Sequence, residues 1–190
     1  MATASASEAT DVEHGAEPEG EITFRDITRE DLPVVRALHS VLFPVQYSDS
    51  FYNRLFTEGY YCLVGIVNNE IVAVASARTV EPNGVPTRDA YIMTLGVRED
   101  YRRRNYGSVS MDHILDLLRE RTDCDYAVLH VKLLNEAAVR FYQKYGFQSR
   151  PEDLCKDHYF IEGHHYDARY YKYELRSSFG KIIKNYCSLL

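Results

Sequence analysis

The sequence predicts one mixed α/β domain, a sheet with flanking helices. Its 190 residues, 45% of them hydrophobic, suffice for one substantial core. Stretches with apolar residues at every second position alternate with stretches at helical spacing, in the order β-α-α-β-β-β-α-β-α-β-β. The chain shows no internal repeat. We expect the domain to span residues 21–175, between tails over 1–20 and 176–190.

Composition argues against several classes of protein. Residues 1–20 are rich in Ala, Ser and Glu without a basic or an apolar segment, which predicts a disordered tail and no secretory signal. No apolar run approaches the length that crosses a bilayer. A formal net charge of −6 argues against a general nucleic-acid binder. The four cysteines are scattered without a C-x-x-C pair, as in cytoplasmic proteins with reduced thiols.

The first strand and helix have sequence signals at their boundaries. The segment EITFRDI (21–27) alternates and predicts a strand. Thr28 stands three residues before Asp31, as in a capping box, and opens an amphipathic helix that tolerates Pro33 in its first turn. The apolar face of this helix comprises Leu32, Val35, Leu38 and Leu42.

A short helix and a β-hairpin are predicted next. Pro44 cannot continue the first helix, and Asp49 is expected to cap a second one that runs through Phe56. Two β-rich segments, YYCLVGIV and EIVAVASART, then flank Asn68 and Asn69. Asparagine tolerates the positive φ of a tight hairpin turn, so these segments are expected to pair.

A strand and a long helix follow. A Pro/Gly loop (81–88) precedes an alternating segment that predicts a strand over Asp89–Val97. After three arginines the spacing becomes helical, with apolar positions Val109, Ile114, Leu117 and Leu118.

The last elements repeat the strand–helix order and end in a hairpin. The segment DYAVLHVKL (125–133) carries an apolar run typical of a strand buried on both faces. In NEAAVRFYQKYGF, Asn135 is expected to cap a helix and Gly146 to end it. The tyrosine-rich segment 158–175 alternates weakly and predicts a β-hairpin.

The junction of the fourth strand and the long helix concentrates positive charge in an acidic chain. RRRNYG supplies Arg102, Arg103 and Arg104, followed by Asn105 for a left-handed turn and Gly107 for close backbone approach. Unpaired N–H groups at a helix start carry partial positive charge, and a tight loop aims several of them at one point. These residues predict a phosphate or pyrophosphate site, with a solvated helix start as the alternative.

Three segments together resemble the Gcn5-related N-acetyltransferase (GNAT) superfamily. They are YIMTLGVREDYRRRNYG, LHVKLLNEAAVRFYQKYGF and LFPVQYSDSFY, and the similarity runs from Ile22 to Leu175. More narrowly, the chain resembles the NatE and NatF catalytic subunits, which acetylate protein N-termini. Asn105 replaces the first glycine of the superfamily's R/Q-x-x-G-x-G/A loop. The resemblance implies a mixed, mostly antiparallel sheet with a central parallel strand pair that splays to admit acetyl-CoA.

The resemblance also implies where acetyl-CoA binds. Backbone amides from Arg102 to Ser108 would hold its pyrophosphate, and its pantetheine arm would pair with the strand end Leu95–Val97. Residues of the second strand–helix unit would contact the thioester region, where Tyr142 would orient the sulfur. The implied set is Leu95, Gly96, Val97, Arg102, Arg103, Arg104, Asn105, Tyr106, Gly107, Ser108, Asn135, Ala138, Tyr142 and Lys144.

Catalysis is expected to need modest base assistance. A protein α-amine has a pKa of about 7.7–8.0, against about 10.4 for lysine. A Tyr or His acting through an ordered water therefore suffices as general base. The resemblance implies Tyr91 and His130, on neighbouring strands, as this pair of bases. A backbone amide near Leu95–Val97 would polarise the acetyl carbonyl.

Two segments are expected to bind the substrate peptide. FPVQY offers an apolar wall suited to an initiator methionine, and its tyrosine could hydrogen-bond the peptide backbone. The C-terminal hairpin would close the site through His158-Tyr159, where NatE-like enzymes carry two tyrosines. The implied set is Phe43, Pro44, Val45, Tyr47, Met93, His158 and Tyr159.

The leading hypothesis is an N-terminal α-amino acetyltransferase that uses acetyl-CoA and no metal. His158, His164 and His165 are not expected to bind a metal ion, because no acidic or thiol partner was found at ligand spacing. A lysine or small-amine acetyltransferase is one alternative; a weakly catalytic subunit of a larger ribosome-associated complex is another. The expected location is the cytoplasm, compatible with a nuclear pool. Golgi membrane attachment through the short C-terminal tail is disfavoured.

Overall fold

The computed structural model describes residues 20–80 and 88–176. The predicted tails, up to residue 19 and from residue 177, and the loop at 81–87 lie outside the described residues. The element order is the predicted one. The strands are β1 (Thr23–Asp26), β2 (Tyr60–Val67), β3 (Glu70–Thr79), β4 (Asp89–Val97), β5 (Tyr126–Lys132), β6 (Leu154–Ile161) and β7 (His164–Glu174). The helices are α1 (Leu32–Leu42), α2 (Asp49–Arg54), α3 (Tyr106–Arg121) and α4 (Glu136–Tyr145).

All seven strands form one mixed sheet in the order β1-β2-β3-β4-β5-β7-β6. Every neighbouring pair is antiparallel except β4 and β5, which run parallel in the centre. The predicted mixed sheet with one central parallel pair is therefore confirmed. Within the described residues, no helix combines the length and apolar character needed to cross a membrane.

The two faces of the sheet carry different helices, because side chains alternate along each strand. On one face, α3 buries Met111, Ile114 and Leu118 against residues such as Ala75 and Leu129. On the other face, helices α1 and α2 pack on the alternate positions of β2 and β3. The residues of this second cluster include Val35, Leu38, Tyr52, Leu55, Cys62, Val64 and Val74.

The parallel pair is short. Its register joins Asp89–Tyr91 to Tyr126–Val128, and the pairing of β4 with β5 stops there. On its other side β4 shifts register between Ser76 and Ala77 of β3, which leaves Met93 as an extra, bulged residue. A bulge bends a strand and increases its twist. Beyond Tyr91 the two strands therefore separate and leave a gap in the sheet.

Hydrogen bonds confirm the predicted start of the first helical segment. The carboxylate of Asp31 accepts from the backbone N–H of Thr28 at 2.7 Å, as in a capping box. The first turn is a 3-10 turn over Arg29–Asp31, and α1 continues from it. Asp31 is buried and also takes two hydrogen bonds from Arg25, at 2.6 and 2.8 Å.

The predicted cap of α2 is wrong by one residue. Ser48 is the N-cap, and its hydroxyl accepts from the N–H of Phe51 at 3.4 Å. Asp49 is instead the first helical residue and pairs with Arg36 at 2.8 Å. The helix ends at Arg54, before the predicted Phe56. A serine hydroxyl and an aspartate carboxylate can each serve as cap, so adjacent residues of these types leave the choice open.

The predicted turns are found. Asn68 and Asn69 join β2 to β3 with φ values of 49° and 64°. Gly146 ends α4 with a φ of 113°, and its N–H bonds back to the carbonyls of Tyr142 and Gln143. The hairpin of β6 and β7 also forms as predicted, although β6 begins earlier, at Leu154.

Candidate active site

The gap between β4 and β5 opens into a cavity of about 740 Å³. It is lined by the strand ends beyond the parallel pairing, by α4 and by the segment between α1 and α2. Twelve of the residues implied by the sequence analysis meet here: Phe43, Pro44, Val45, Tyr47, Tyr91, Met93, Leu95, His130, Asn135, Ala138, Tyr142 and Tyr159.

Tyr91 and His130 lie together at the point where the strands part. The Tyr91 hydroxyl is 3.2 Å from Nδ1 of His130. The strand register explains this contact: Tyr91 is paired with Val128, and His130 lies two residues further along β5 on the same face. The guanidinium of Arg78 lies over the Tyr91 ring, 5.6 Å from its centroid.

Burial sets the protonation of this pair. It lowers the pKa of His130 to about 4, with a smaller contribution from neighbouring His158, so the imidazole is neutral at neutral pH. Burial raises the pKa of Tyr91, so the phenol keeps its proton. The imidazole is therefore the more basic member of the pair.

Two further tyrosines, Tyr142 and Tyr159, line the cavity together with this pair. Burial raises the pKa of Tyr142 to about 12, so its hydroxyl remains a donor at neutral pH. Tyr159, from the hairpin, donates to the backbone carbonyl of His130 at 3.0 Å and so fixes β6 to β5. The pKa of Tyr159 is likewise raised by burial.

The start of α3 lies at the end of β4 and has the features of an anion site. Asn105 adopts a left-handed conformation with φ 63°, and Arg103 does so with φ 62°. The first α-helical bond in this turn runs from Val109 to the carbonyl of Asn105, so the preceding helical N–H groups lack helical partners. A Cβ on Gly107 would meet only Phe141, at 3.7 Å, so the protein's own packing does not require glycine there.

The helix start and the edge of β4 offer the types of group that acetyl-CoA needs. Helix-start amides without helical partners suit a pyrophosphate, and the edge of β4 that is not paired with β5 offers backbone groups to an extended amide chain. Residues 23–147 match the Acetyltransferase (GNAT) family.

The chain belongs to the GNAT acetyltransferase family.

It is therefore an acetyl-CoA-dependent acetyltransferase, as predicted. Zebrafish (Danio rerio) N-alpha-acetyltransferase 50 is 33% identical over 129 residues, which is 68% of this chain and 76% of the relative. The structure of Arabidopsis thaliana Naa50 with the bisubstrate analogue CoA-Ac-MVNAL has a TM-score of 0.68 at 27% identity, covering 80% of this chain and 98% of that chain. The structure of Arabidopsis thaliana NAA60 in complex with acetyl-CoA has a TM-score of 0.72 at 23% identity. The match covers 81% of this chain and 98% of that chain.

The arginines of this GNAT loop have different environments. Arg102 donates from Nε to the carbonyl of Val97 at 3.1 Å, so its guanidinium holds the loop against the end of β4. Arg104 lies over the ring of Tyr101, 5.7 Å from the centroid. Arg103 is exposed. The three arginines therefore all precede the helix start, but they differ in what their side chains contact.

Several residues implied to bind acetyl-CoA or peptide do not line the cavity. Gly96 packs against α1, where a Cβ would lie 2.6 Å from Leu42. Val97 is buried in a cluster with Tyr101, and Lys144 is exposed on α4. The loop 102–108 lies beyond the cavity, at the start of α3.

His158 also lies outside the cavity lining. It is exposed and stacks on His130, with ring centroids 4.0 Å apart and an interplanar angle of 16°. The adjacent Tyr159 takes the place in the cavity wall instead. One histidine of the hairpin therefore supports the imidazole of the site from its outer side.

The sequence analysis missed His39. This residue is 1% exposed and lies behind the apolar FPVQY segment. Its ring contacts those of Phe43, Tyr47, Phe51 and Tyr52. Neither ring nitrogen has a hydrogen-bond partner, and burial lowers its pKa to about 4. The helical spacing from Val35 places it on the buried face of α1 and could have indicated this position.

Three basic side chains in the cavity lining were also missed. Arg54, Arg78 and Lys132 contribute to the wall, whereas none of the described residues that line it carries a carboxylate. A chain with a net charge of −6 gives no sign of this, because the acidic residues lie elsewhere. The cavity is therefore locally cationic.

The expectation that no thiol stands at ligand spacing from the hairpin histidines is wrong. The sequence analysis found no thiol at ligand spacing, yet Cys155 stands three residues before His158. Among the described residues, Cys155, His158 and His130 form a group whose possible ligand atoms all lie within 4.8 Å of one another. Cys155 is half-buried and its thiol donates to the carbonyl of Asp153 at 3.8 Å.

Proposed function

We propose that this GNAT acetyltransferase acts on the free α-amine of polypeptides, with peptides that begin with methionine preferred. The observation that carries the proposal is the Tyr91–His130 pair at the strand gap, next to an aromatic wall. A cavity that joins a proton acceptor to an apolar pocket suits a small amine attached to an apolar side chain. The 33% identity to a protein named N-alpha-acetyltransferase 50 supports the same substrate class.

Acetyl-CoA supplies the acetyl group. The N–H groups at Tyr106, Gly107 and Ser108 would bind its pyrophosphate, since they precede the first helical hydrogen bond of α3. The free edge of β4 at Leu95 would pair with its amide groups. Tyr142, protonated and half-buried, would face the sulfur and donate to the departing thiolate.

His130 would be the proton acceptor and Tyr91 its relay. The neutral imidazole takes the Tyr91 proton at Nδ1, while the Tyr91 oxygen receives one from the substrate amine, directly or through water. This differs from the expectation that both residues are bases, because burial keeps the phenol protonated. An α-amine is already partly deprotonated near neutral pH, so the imidazole has to accept only the proton that the nitrogen releases as it attacks.

The peptide would enter between the α1–α2 segment and the hairpin. Phe43, Pro44 and Val45 would contact the methionine side chain, with His39 filling the space behind them. Tyr159 would face the peptide backbone from the hairpin. The FPVQY segment is closer to NatE, whereas the spacing of the tyrosine-rich C-terminal segment is closer to NatF. A cytoplasmic location and a ribosome-associated partner complex stay predictions.

A peptide panel tests this function. Purified protein is incubated with acetyl-CoA and peptides beginning Met-Leu, Met-Lys or Ser-Glu, plus an N-terminally blocked peptide that contains lysine. Acetylated product is measured by mass. Turnover confined to the free Met-starting peptides is expected. Turnover on the blocked peptide would instead favour the lysine acetyltransferase, and silence on all four would favour a binding subunit.

A further inference from the structure

A group of two imidazoles and one thiol lies on the outer side of the Tyr91–His130 pair. His130 comes from β5, whereas Cys155 and His158 come from β6, and β7 runs between these strands. The possible ligand atoms of the three residues lie within 4.8 Å of one another. Acetyl transfer as proposed above uses His130 alone of the three.

A β-bulge with two extra residues in β6 brings Cys155 and His158 to the same side. The register moves from Cys155 opposite Ala168 to Tyr159 opposite Tyr166, so β6 has two more residues than β7 in this interval. In a regular strand, residues three apart point to opposite faces. Here Asp157 has a φ of 52°, and its N–H bonds to the carboxylate of Asp167 at 2.9 Å, which fixes the bulge.

Strand β7 lies between His130 on β5 and Cys155 on β6, and its side chains decide whether these two residues can approach each other. His130 stands opposite Tyr170 on β7, and Cys155 stands opposite Ala168. Residues two apart on one strand share a face, so His130 and Cys155 lie on the same face of the sheet. Of the two β7 residues on this face, Tyr170 packs beside the His130 ring, with centroids 5.3 Å apart, and Ala168 opposite Cys155 adds only a methyl group.

We propose that His130, Cys155 and His158 bind Zn²⁺, and that the bound ion removes His130 from acetyl transfer. Imidazole nitrogen and thiolate sulfur are the ligands that zinc prefers, and three protein ligands leave a fourth position for water. Zinc–ligand lengths of about 2.0–2.3 Å place tetrahedral ligand atoms roughly 3.3–3.6 Å apart. The exposed His158 can turn to close the remaining distance, and it gives the ion access from solvent.

Binding changes the proton balance without any oxidation. The Cys155 thiol loses one proton to solvent and binds as thiolate, while both imidazoles donate lone pairs. A neutral imidazole has one basic nitrogen, and coordination uses it. His130 can then no longer accept the Tyr91 proton. The inhibitory part of this inference rests on the proposed function, whereas the site itself does not.

The first measurement is metal binding by the full-length chain in a thiol-free phosphine reductant. Co²⁺ is the spectroscopic probe, because thiolate ligation gives a near-ultraviolet charge-transfer band. Zn²⁺ affinity follows from competition with a chromophoric chelator. The wild type is expected to bind one ion with the band present. Cys155→Ser should lose the band and at least about 10-fold in Zn²⁺ affinity, and His158→Asn a similar factor.

Two variants serve as matched controls. His165→Asn removes a histidine from the same hairpin outside the group, and Cys187→Ser removes a thiol outside the described residues. Both should bind Co²⁺ like the wild type. Absence of binding by the wild type, or a Cys155→Ser variant that binds like it, would overturn the site.

The second measurement is turnover with and without Zn²⁺, read as acetylated peptide. Since CoA is itself a thiol that binds zinc, wild type and Cys155→Ser are compared at the same total Zn²⁺. The wild type should lose at least about 10-fold in rate and recover with chelator, whereas Cys155→Ser should keep its rate. Equal inhibition of both would overturn the inhibitory role. If no peptide is acetylated at all, the proposed function fails, while the spectra still decide the site.

Discussion

The hydroxyl of Tyr91 lies 3.2 Å from Nδ1 of His130, although the two residues are 39 positions apart in the chain. A parallel pairing of three residues creates this contact, and the same pairing ends immediately beyond Tyr91. The proton relay and the opening for the cosubstrate therefore share one structural cause. A change in the register of β4 on β5 would disrupt both.

Removing either member of this pair should reduce kcat. Tyr91→Phe and His130→Ala are each expected to lower kcat by about 10²–10⁴ and to leave the KM for acetyl-CoA unchanged. The double variant should be no slower than the slower single variant, since the two groups act as one unit. Tyr126→Phe is the control, because Tyr126 lies on the same strand as His130 but outside the cavity. Steady-state kinetics test this, and a loss confined to KM would contradict it.

The left-handed residue before α3 should tolerate glycine and reject a β-branched side chain. Asn105→Gly is expected to keep stability and the KM for acetyl-CoA, because glycine adopts a φ of 63° without strain. Asn105→Ile should lose about 1–2 kcal/mol of unfolding free energy and raise that KM. Urea unfolding and kinetics measure the two effects. An isoleucine variant equal to the wild type in both would show that this conformation is not required.

Gly96 should be sensitive to a single added methyl group. In Gly96→Ala the new Cβ would lie 2.6 Å from Leu42 and 3.1 Å from Phe43, which would move the peptide wall. We expect about 1–2 kcal/mol of destabilisation and a higher KM for peptide than for acetyl-CoA. Leu42→Ala in the same chain should recover part of the peptide KM, because it removes the nearer contact. No interaction between the two substitutions in a double-mutant cycle would contradict this explanation.

The cationic cavity lining should favour acidic residues near the peptide N-terminus. Among otherwise identical Met-starting peptides, a glutamate at the second or third position should give a lower KM than a lysine. Arg54→Gln should reduce this difference, because Arg54 lines the cavity and no carboxylate among the lining residues that the structure describes offsets its charge. Higher ionic strength should reduce it as well. Arg29→Gln, outside the lining, is the control. An unchanged preference in Arg54→Gln would exclude this role.

The ion pair of Asp31 and Arg25 should make stability depend on pH. Hydrogen bonds from Arg25 are the main cause that lowers the pKa of Asp31 from 3.8 to about 2. A carboxyl with a lowered folded-state pKa stabilises fully above its unfolded-state pKa, and this contribution disappears as the pH falls through the folded-state pKa. At pH 7, Asp31→Asn should cost about 1–2 kcal/mol, a value that allows for the partial exposure of Arg25.

The difference between wild type and Asp31→Asn should shrink steadily from pH 4 to pH 2. Urea unfolding at pH 7 and pH 3 measures it. Asp49→Asn, which removes an exposed partner of Arg36, should change stability little at either pH. If the difference in unfolding free energy between wild type and Asp31→Asn were equal at both pH values, the cost of the substitution would come from packing and not from charge.

Local signals predicted most elements, because each signal acts within a few residues. Asn68-Asn69, Asn135 and Gly146 have the conformations or caps that their side chains favour. The error at Ser48 arose because two adjacent residues can both cap. The bulge at Met93 left no trace in the sequence, since it depends on how β3 and β4 align.

The site was predicted where a sequence motif carries it and missed where tertiary contact creates it. Tyr91 and His130 followed from the resemblance, but their protonation depends on burial that only the folded chain shows. Cys155 is close to His130 because both lie on the same face of the sheet beside β7, and a bulge in β6 brings His158 to them. Such a long-range juxtaposition has no periodicity that a sequence pattern reveals.

The short pairing of β4 with β5 divides the backbone ladder into two blocks, β1–β4 and β5–β7. On one face, the core beneath α3 bridges both blocks through Ala75 and Leu129. On the other face, the Tyr91–His130 contact joins the two blocks at the start of the gap, and beyond it β4 and β5 are not paired. Acetyl-CoA in that gap would supply the missing hydrogen bonds, so the ligand becomes a structural strand of the sheet. Amide protons of the blocks β1–β4 and β5–β7 would then exchange with solvent as two cooperative units in the free protein. In the complex with acetyl-CoA they would exchange as one unit.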